Sequence, residues 1–442
     1  MHRLFRRKFI SLLLTLFLFV TMAAGCTIQR ADTEQGSQEA QDAISLSVWV
    51  FFDYNTPGTH YVDLWEELAK EYDCEIELKT YSTEQIKDKL KMALVCDELP
   101  DIFAVWGGRY ADFLFDAGAC IPVEDYLAEA DFTFRDTYIE PYDDGHNYII
   151  PCLVEAYAVT YCNQNLMEEM DLTMPETWEE LLALVEAVNA YNEENGTDYA
   201  AIGLGNKDSW LGELLYTMIV NRIDPYALDG LMDGSLDFSD DVFVQAAEMI
   251  TQLVEMGAFA EDFMETGEVE SAENFAAGES VLFPHQSTII YYLIEEMGED
   301  AFTVEQFPGC SEEYAETYST YMVDINHTLT PGLCISSDTE DPDLAAELCL
   351  EFAKRVNEKN VTEYDYLDLI EDSGLTADAE SSLPVQQFHE MIDNAQKYTA
   401  FWYALLEKED GDNWRNLTQK LLGGAIEVDT FIESAAQYLN FQ

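Results

Sequence analysis

Carboxylates are the most abundant chemistry-bearing groups of this 442-residue chain, with 87 Asp and Glu against 21 Lys and Arg. Glycoside hydrolysis needs only two of them at a suitable separation, so with 87 to choose from a pair discriminates nothing. The motifs that would discriminate are missing. No Gly-x-Ser-x-Gly, His-Glu-x-x-His or Gly-x-x-x-x-Gly-Lys-Ser/Thr occurs, and a serine nucleophile, a catalytic zinc and a cradled nucleotide therefore have no support. Asp143-Asp144-Gly145-His146-Asn147 and Glu409-Asp410-Gly411-Asp412 cluster oxygen ligands of the kind calcium takes. Neither follows the EF-hand order, and both read more readily as polar turns.

Sulfur chemistry is equally unspecific. Cys74, Cys96, Cys120, Cys152, Cys162, Cys310, Cys334 and Cys349 are scattered through apolar contexts without a Cys-x-x-Cys pair. Metal-site spacing is absent, and buried free thiols are expected, with pairing in an oxidising compartment left open. No catalytic residue, metal or cofactor is expected.

The ninth cysteine stands apart. Residues 1–25 comprise a basic start (Arg3, Arg6, Arg7, Lys8), an apolar run from Phe9 to Val20 and Ala23-Ala24-Gly25 before Cys26, which is the anatomy of a secretory signal. A transmembrane anchor is the alternative, but the apolar run is shorter than the roughly 20 residues a bilayer requires. Ala-Ala-Gly-Cys resembles the bacterial lipobox, whose cysteine is lipidated after cleavage; an ordinary cleavage site beside a cysteine is the competing reading. Residues 26–43 are polar and patternless, as a flexible tether is.

The formal charge is −66, and removing residues 1–25 takes away four cations and no acid. Binding to nucleic acid, or to anionic lipid through basic patches, depends on clustered Lys and Arg and is excluded. The charge favours a soluble surface and neutral or cationic ligands over phosphate or sulfate. The roughly 400 remaining residues suffice for two domains with real cores.

The elements that would position a site alternate. Ile44–Phe52 is β-prone, with Ile44, Leu46, Val48, Val50 and Phe52 on one face. A helix carrying Tyr61, Leu64, Trp65 and Leu68 follows, then a strand over 75–81, a helix over 83–95 behind a Ser82-x-x-Gln85 capping box, and a strand over 101–106. This order predicts βαβ units and a largely parallel sheet. Thr177 with Glu180 caps a second helix with Leu181, Leu182, Val185 and Val188 inward. Strands are expected at 280–283, 302–307 and 332–336, and Asp341-Pro342 opens a helix with Leu344, Leu348 and Phe352 inward. The last eighty residues read as mostly helical.

Several motifs in this order resemble the extracellular solute-binding proteins of ABC sugar importers, the group that includes maltodextrin-binding protein. They are Leu99-Pro100-Asp101-Ile102-Phe103; Tyr110-Ala111-Asp112-Phe113-Leu114 with Gly118 and the Ile121–Leu127 turn; Tyr161-Cys162-Asn163; Pro175 with Thr177-Trp178-Glu179-Glu180-Leu181; and Ala276-Ala277-Gly278 leading into Val281-Leu282-Phe283. The resemblance covers about residues 44–440. It implies a two-lobed α/β fold of the periplasmic-binding-protein kind (type II), with discontinuous lobes joined by a hinge that closes on ligand. One lobe is expected from 44–153 and 301–356, the other from 154–300 and 357–442. The implied function is capture of a carbohydrate, an oligosaccharide, by a lipid-anchored extracellular monomer that delivers it to ABC permease subunits, without nucleic acid as a partner.

A sugar offers apolar C–H faces and a rim of hydroxyls, so its site wants aromatic platforms beside polar groups. Matched to the maltodextrin-binding pattern, Asp53 and Glu155 are implied as acceptors, Trp106 and Trp402 as platforms and Arg109 as a donor. Tyr157 and Trp210 are candidates for surface where the family's Glu-Pro-Tyr element has no clear counterpart here. Where the family often has a tryptophan, this chain has Pro284-His285-Gln286-Ser287, and His285 is a candidate donor or a helix-entry residue. Rival readings are a secreted glycan-active enzyme, a receptor presenting ligand to a membrane sensor, and a binding protein for polyamines or peptides.

Overall fold

The computed structural model describes residues 44–51, 59–139, 141–153, 156–310, 321–325, 331–406 and 408–439. The signal segment, Cys26, the tether, Asp53 and Glu155 lie outside the described residues. Among the described residues no helix is long and apolar enough to cross a membrane.

Eleven strands are described: β1 (Ser45–Phe51), β2 (Glu75–Tyr81), β3 (Ile102–Trp106), β4 (Ile150–Pro151), β5 (Ala158–Asn163), β6 (Ala200–Ile202), β7 (Ser280–Gln286), β8 (Phe302–Glu305), β9 (Tyr321–Asp324), β10 (Pro331–Ile335) and β11 (Lys397–Ala400). They form a five-stranded sheet in the order β2-β1-β3-β10-β4, a four-stranded sheet β6-β7-β5-β8 and the pair β11-β9. In β1 the period-2 pattern buries Leu46, Val48 and Val50, as alternation dictates, while Ile44 lies exposed just outside the strand.

The expectation of a largely parallel sheet needs correction. β1 runs parallel to β2 and β3, but β10 is antiparallel to both β3 and β4. β5 is likewise antiparallel to β7 and β8, with β6 and β7 parallel. The cause is the return of the chain: β10 enters the first sheet more than two hundred residues after β3, without the crossover helix that forces parallel pairing. Residues 302–305, assigned to the first lobe from sequence, pair with β5 in the second sheet. The helix Pro342–Tyr364 runs unbroken past 356, packed on β10, β4 and the Thr59–Glu71 helix.

Local chemistry explains the joints. The Asp101 carboxylate accepts from Ser47 N at 2.8 Å and Ser47 Oγ at 2.7 Å, and Asp101 N donates back to Ser47 Oγ at 3.0 Å. The Leu99-Pro100-Asp101 motif thus ties the start of β3 to β1. Ser82 accepts from Gln85 N, Thr177 and Glu180 form a reciprocal capping box, and Asp341 accepts from Leu344 N ahead of Pro342.

Two hydrophobic cores result. One joins Val48, Trp65, Phe103, Leu333 and Phe352; the other joins Leu181, Leu214, Phe243, Ile250, Trp402 and Phe431. The second sheet is buried on both faces. Val159 and Tyr161 of β5 enter the first core, and their neighbours Ala158 and Cys162 the second. All eight cysteines among the described residues are unpaired, and only Cys96 is exposed.

Candidate functional site

The carboxyl ends of the three mutually aligned strands of the first sheet are Phe51, Tyr81 and Trp106. In open α/β sheets ligands collect outside such an edge. β3 is buried along its length except for Trp106, its last residue. Gly108, at φ 64°, then turns the chain in the left-handed region that favours glycine and launches the short helix Gly108–Ala111. That turn drives Tyr110 inward and leaves Arg109 outward, its side chain 45% exposed and 3.8 Å from Asp112.

Around Trp106 the structure assembles a group that joins segments from both halves of the chain. Its indole stacks on Phe51 with centroids 3.6 Å apart and planes at 17°, and it meets Tyr110 edge-on at 6.2 Å. The ammonium of Lys87, from the Thr83–Cys96 helix, stands 5.2 Å from the Trp106 centroid, 5.7 Å from Tyr110 and 5.2 Å from Tyr403. Tyr403 belongs to the second core. The guanidinium of Arg415 lies 3.6 Å over the Tyr403 ring, and its Nε donates to Glu213 Oε2 at 2.9 Å. Tyr403 N donates to the other oxygen of Glu213 at 3.0 Å. Burial pushes the Glu213 carboxyl up to about 7, against the opposing pull of Arg415 and Lys87.

A second group sits at the start of the Trp210–Ile223 helix. Trp210 Nε1 donates to Glu268 Oε2 at 3.1 Å, and its ring meets His285 edge-on at 5.4 Å. His285, on β7, is fully buried against Phe283, with its Nε2 4.0 Å from Glu268 Oε1. Burial holds its imidazole down to about 3, so the ring is neutral.

The candidates from sequence therefore separate. Trp106 and Arg109 share one sheet edge, and Trp210 and His285 share another group. Two assignments need correction. Trp402 is no exposed platform: it is fully buried, stacked on Trp414 at 5.1 Å and hemmed by Tyr216, Phe238 and Phe243. Its neighbour Tyr403, in the sequence Phe401-Trp402-Tyr403-Ala404, takes the place at the joint. His285 is enclosed behind Trp210 with no exposed surface, which removes it as a donor in this conformation. Tyr157 is also buried; its N–H donates to Ser287 Oγ, it bridges to Asp324, and its ring lies 5.3 Å from Tyr398.

Sequence reasoning missed Lys87, Tyr110, Tyr403, Arg415, Glu213 and Glu268. Glu213 carried a signal as the one charged residue of the largely apolar run Leu211–Val220, and Tyr110 stood in a quoted motif without being assigned to the site. Of the two acidic clusters expected as polar turns, the first is one and the second is helical. Asp144 accepts from His146 N and from the Tyr148 hydroxyl around the Gly145 turn, and Glu409-Asp410 open the Lys408–Leu422 helix. Among the described residues no group of three or more His, Cys, Asp or Glu is placed to hold a metal.

Comparison with known proteins adds three likenesses of fold and one of sequence. A family described as bacterial extracellular solute-binding protein matches residues 63–365. A structure from xylan utilization by the thermophilic bacterium Caldanaerobius polysaccharolyticus is 21% identical, at a TM-score of 0.78 over 90% of this chain and 100% of that one. A chitin oligosaccharide binding protein is 18% identical, with a TM-score of 0.75 over 90% and 98% of the two chains. An ABC substrate-binding protein from Listeria monocytogenes in complex with cycloalternan is 14% identical, with a TM-score of 0.68 over 90% and 98%. No curated protein matches by sequence.

Proposed function

The chain belongs to the bacterial extracellular solute-binding proteins, and we propose that it captures a carbohydrate, an oligosaccharide, and delivers it to an ABC importer without altering it. The observation that carries this reading is Trp106: an indole at the carboxyl edge of the first sheet, backed by Phe51 and flanked by Arg109. An aromatic face beside hydrogen-bonding groups is what a sugar's C–H face and hydroxyl rim require. The relatives of similar fold, one from xylan utilization, one a chitin oligosaccharide binding protein and one in complex with cycloalternan, support the same ligand class.

In this reading Trp106 is the platform, Arg109 a donor, Trp210 with Glu268 a second wall, and Asp53 and Glu155 acceptors. Cys26 carries the lipid that tethers a monomeric receptor to the outer face of the cytoplasmic membrane, and permease subunits receive the loaded form. In this reading the two lobes are built around the five-stranded and the four-stranded sheets.

The test is the melting temperature of residues 27–442 against xylo-, chito- and malto-oligosaccharides, with polyamines and short peptides as the competing class. A ligand at about 100 times its Kd adds roughly 2.7 kcal/mol to the folded state, a readily visible shift. A response to one glycan series supports the reading. A response to polyamines or peptides alone replaces the ligand class, and silence from all of them removes the support for capture.

A further inference from the structure

Cys120, Cys152, Cys334 and Cys349 gather in the first core. Cys120 lies in the turn ahead of Ile121-Pro122, Cys152 just past β4, Cys334 in β10 and Cys349 in the Pro342–Tyr364 helix. All are buried thiols, and Cys334 stands among the other three. With Cys120 the contact is direct, because the two side chains are hydrogen-bonded to each other. Backbone pairing brings them together. Cys120 stands opposite Ser336 in an antiparallel bridge, Ile121 N donates to Ile335 O at 3.0 Å, and Ser337 N donates to Ala119 O at 2.9 Å. Cys334 precedes Ser336 by two residues and so projects from the same face of the strand.

Other buried thiols are engaged differently. Cys162 accepts from Gln164 Nε2 at 3.6 Å, and Cys310 donates to the Pro308 carbonyl at 3.4 Å. Cys120 and Cys334 are more than two hundred residues apart in the chain. A bond between them would close a long loop, and the entropy such a bond removes from the unfolded chain grows with loop length. The compartment suits it, because the family is extracellular and disulfides persist outside the reducing cytoplasm.

We propose that Cys120 and Cys334 are joined by a disulfide in the exported protein, a clasp that pins the returning strand β10 to the turn over residues 119–121. The oxidant is itself a disulfide, either of a small molecule such as oxidised glutathione or of a thiol-oxidising enzyme. One thiol loses its proton, attacks the oxidant and expels one of its sulfurs; the second, deprotonated in turn, attacks the mixed disulfide and expels the other. Two S–H bonds and the oxidant's S–S bond break, one S–S bond forms within the chain, and the oxidant leaves as two thiols. Only a thiolate attacks. Burial, and after it the neighbouring Cys120, pushes the Cys334 thiol well up, so exchange is slow once the core has closed. The clasp therefore forms during folding, before β10 is enclosed, and it is independent of the carbohydrate reading.

The experiment takes residues 27–442, which hold eight cysteines, secreted into an oxidising medium. The protein is denatured with N-ethylmaleimide present, digested without reduction and mapped by mass spectrometry. Six alkylated cysteines are expected, with the peptides of Cys120 and Cys334 linked to each other. Eight alkylated cysteines, or a link between any other pair, overturns the proposal. The same chain is then refolded from urea in dithiothreitol or in a mixture of reduced and oxidised glutathione. The oxidised form is expected to melt a few degrees above the reduced form, and Cys120→Ser to melt at one temperature from either buffer. Equal melting of the two wild-type forms would remove the clasp as a stabilising bond. If Cys120→Ser does not fold, Cys120→Ala replaces it under the same criteria. Oxidised glutathione added to the folded, reduced protein is expected to leave both thiols free, and rapid pairing there would contradict closure during folding.

Discussion

Trp106 and Phe51 end neighbouring parallel strands and stack at 3.6 Å, so the phenyl ring fixes the plane of the indole at the edge of the sheet. A platform held in this way loses little freedom when a ligand lands on it. Trp106→Ala is accordingly expected to weaken oligosaccharide binding by about tenfold, the equivalent of ~1.4 kcal/mol, within the range of an aromatic contact. The melting temperature should fall by only a few degrees, because the ring is partly exposed. Calorimetric titration checks this, and binding as tight as wild type would remove Trp106 from the site.

Trp402, buried in the other core, should behave in the opposite way. Enclosed by Trp414, Tyr216, Phe238 and Phe243, it contributes packing, and truncating a buried tryptophan to alanine costs about 3–5 kcal/mol. The milder Trp402→Phe should lower the denaturation midpoint while leaving sugar affinity within about twofold of wild type. Lost affinity at unchanged stability would restore Trp402 as a platform.

Glu213 and His285 make opposite contributions to stability as pH changes. Burial raises the Glu213 carboxyl from 4.5 to about 7, so its contribution is fully present below 4.5 and is lost as pH rises through 7. Burial lowers His285 from 6.5 to about 3; its contribution is present above 6.5 and is lost as pH falls toward 3. Relative to wild type, Glu213→Gln should therefore gain stability between pH 4.5 and 7, from a baseline lowered by the loss of the charged partner of Arg415. His285→Phe should gain as pH falls below 6.5. Urea unfolding at a series of pH values reads both, and the remaining carboxylates cancel in each difference. Curves parallel to wild type would show that neither group is buried as described.

Gly411 offers a test of sign. Inside a helix, Gly→Ala ordinarily stabilises by up to about 1 kcal/mol. Here a Cβ at position 411 would come within 2.8 Å of Cδ2 and Cε2 of Tyr403, and the ring cannot retreat freely because Arg415 lies 3.6 Å over it. Gly411→Ala is expected to lower the melting temperature, with a cost of about 1–3 kcal/mol for overpacking. A higher melting temperature would mean that Tyr403 is not held against this helix.

The sequence disclosed what depends on short-range pattern. Alternation in β1, the Ser82, Thr177 and Asp341 caps and the strand after Pro100, which starts at Ile102 rather than Asp101, all follow from neighbours within a few residues. Long-range pairing was less legible. β8 carries no mark of which sheet it joins, and the short strands β6, β9 and β11 were not foreseen because three or four residues hold too little pattern to stand out. In the site, Trp106 was visible through the resemblance of Trp106-Gly107-Gly108-Arg109 to the maltodextrin-binding pattern. Lys87 was not, since a lysine on an amphipathic helix ordinarily faces water, and Trp402 was favoured over Tyr403 because residue type alone cannot say which side of a four-residue helix meets the other half.

The measurement that bears most directly on the central claim is an equilibrium titration of residues 27–442 with purified xylo-, chito- and malto-oligosaccharides, followed by analysis of the recovered sugar. The account predicts saturable one-to-one binding of one series, affinity that falls in Trp106→Ala, and sugar recovered intact. Binding of none of them by a folded protein, or recovery of cleaved sugar, would contradict it.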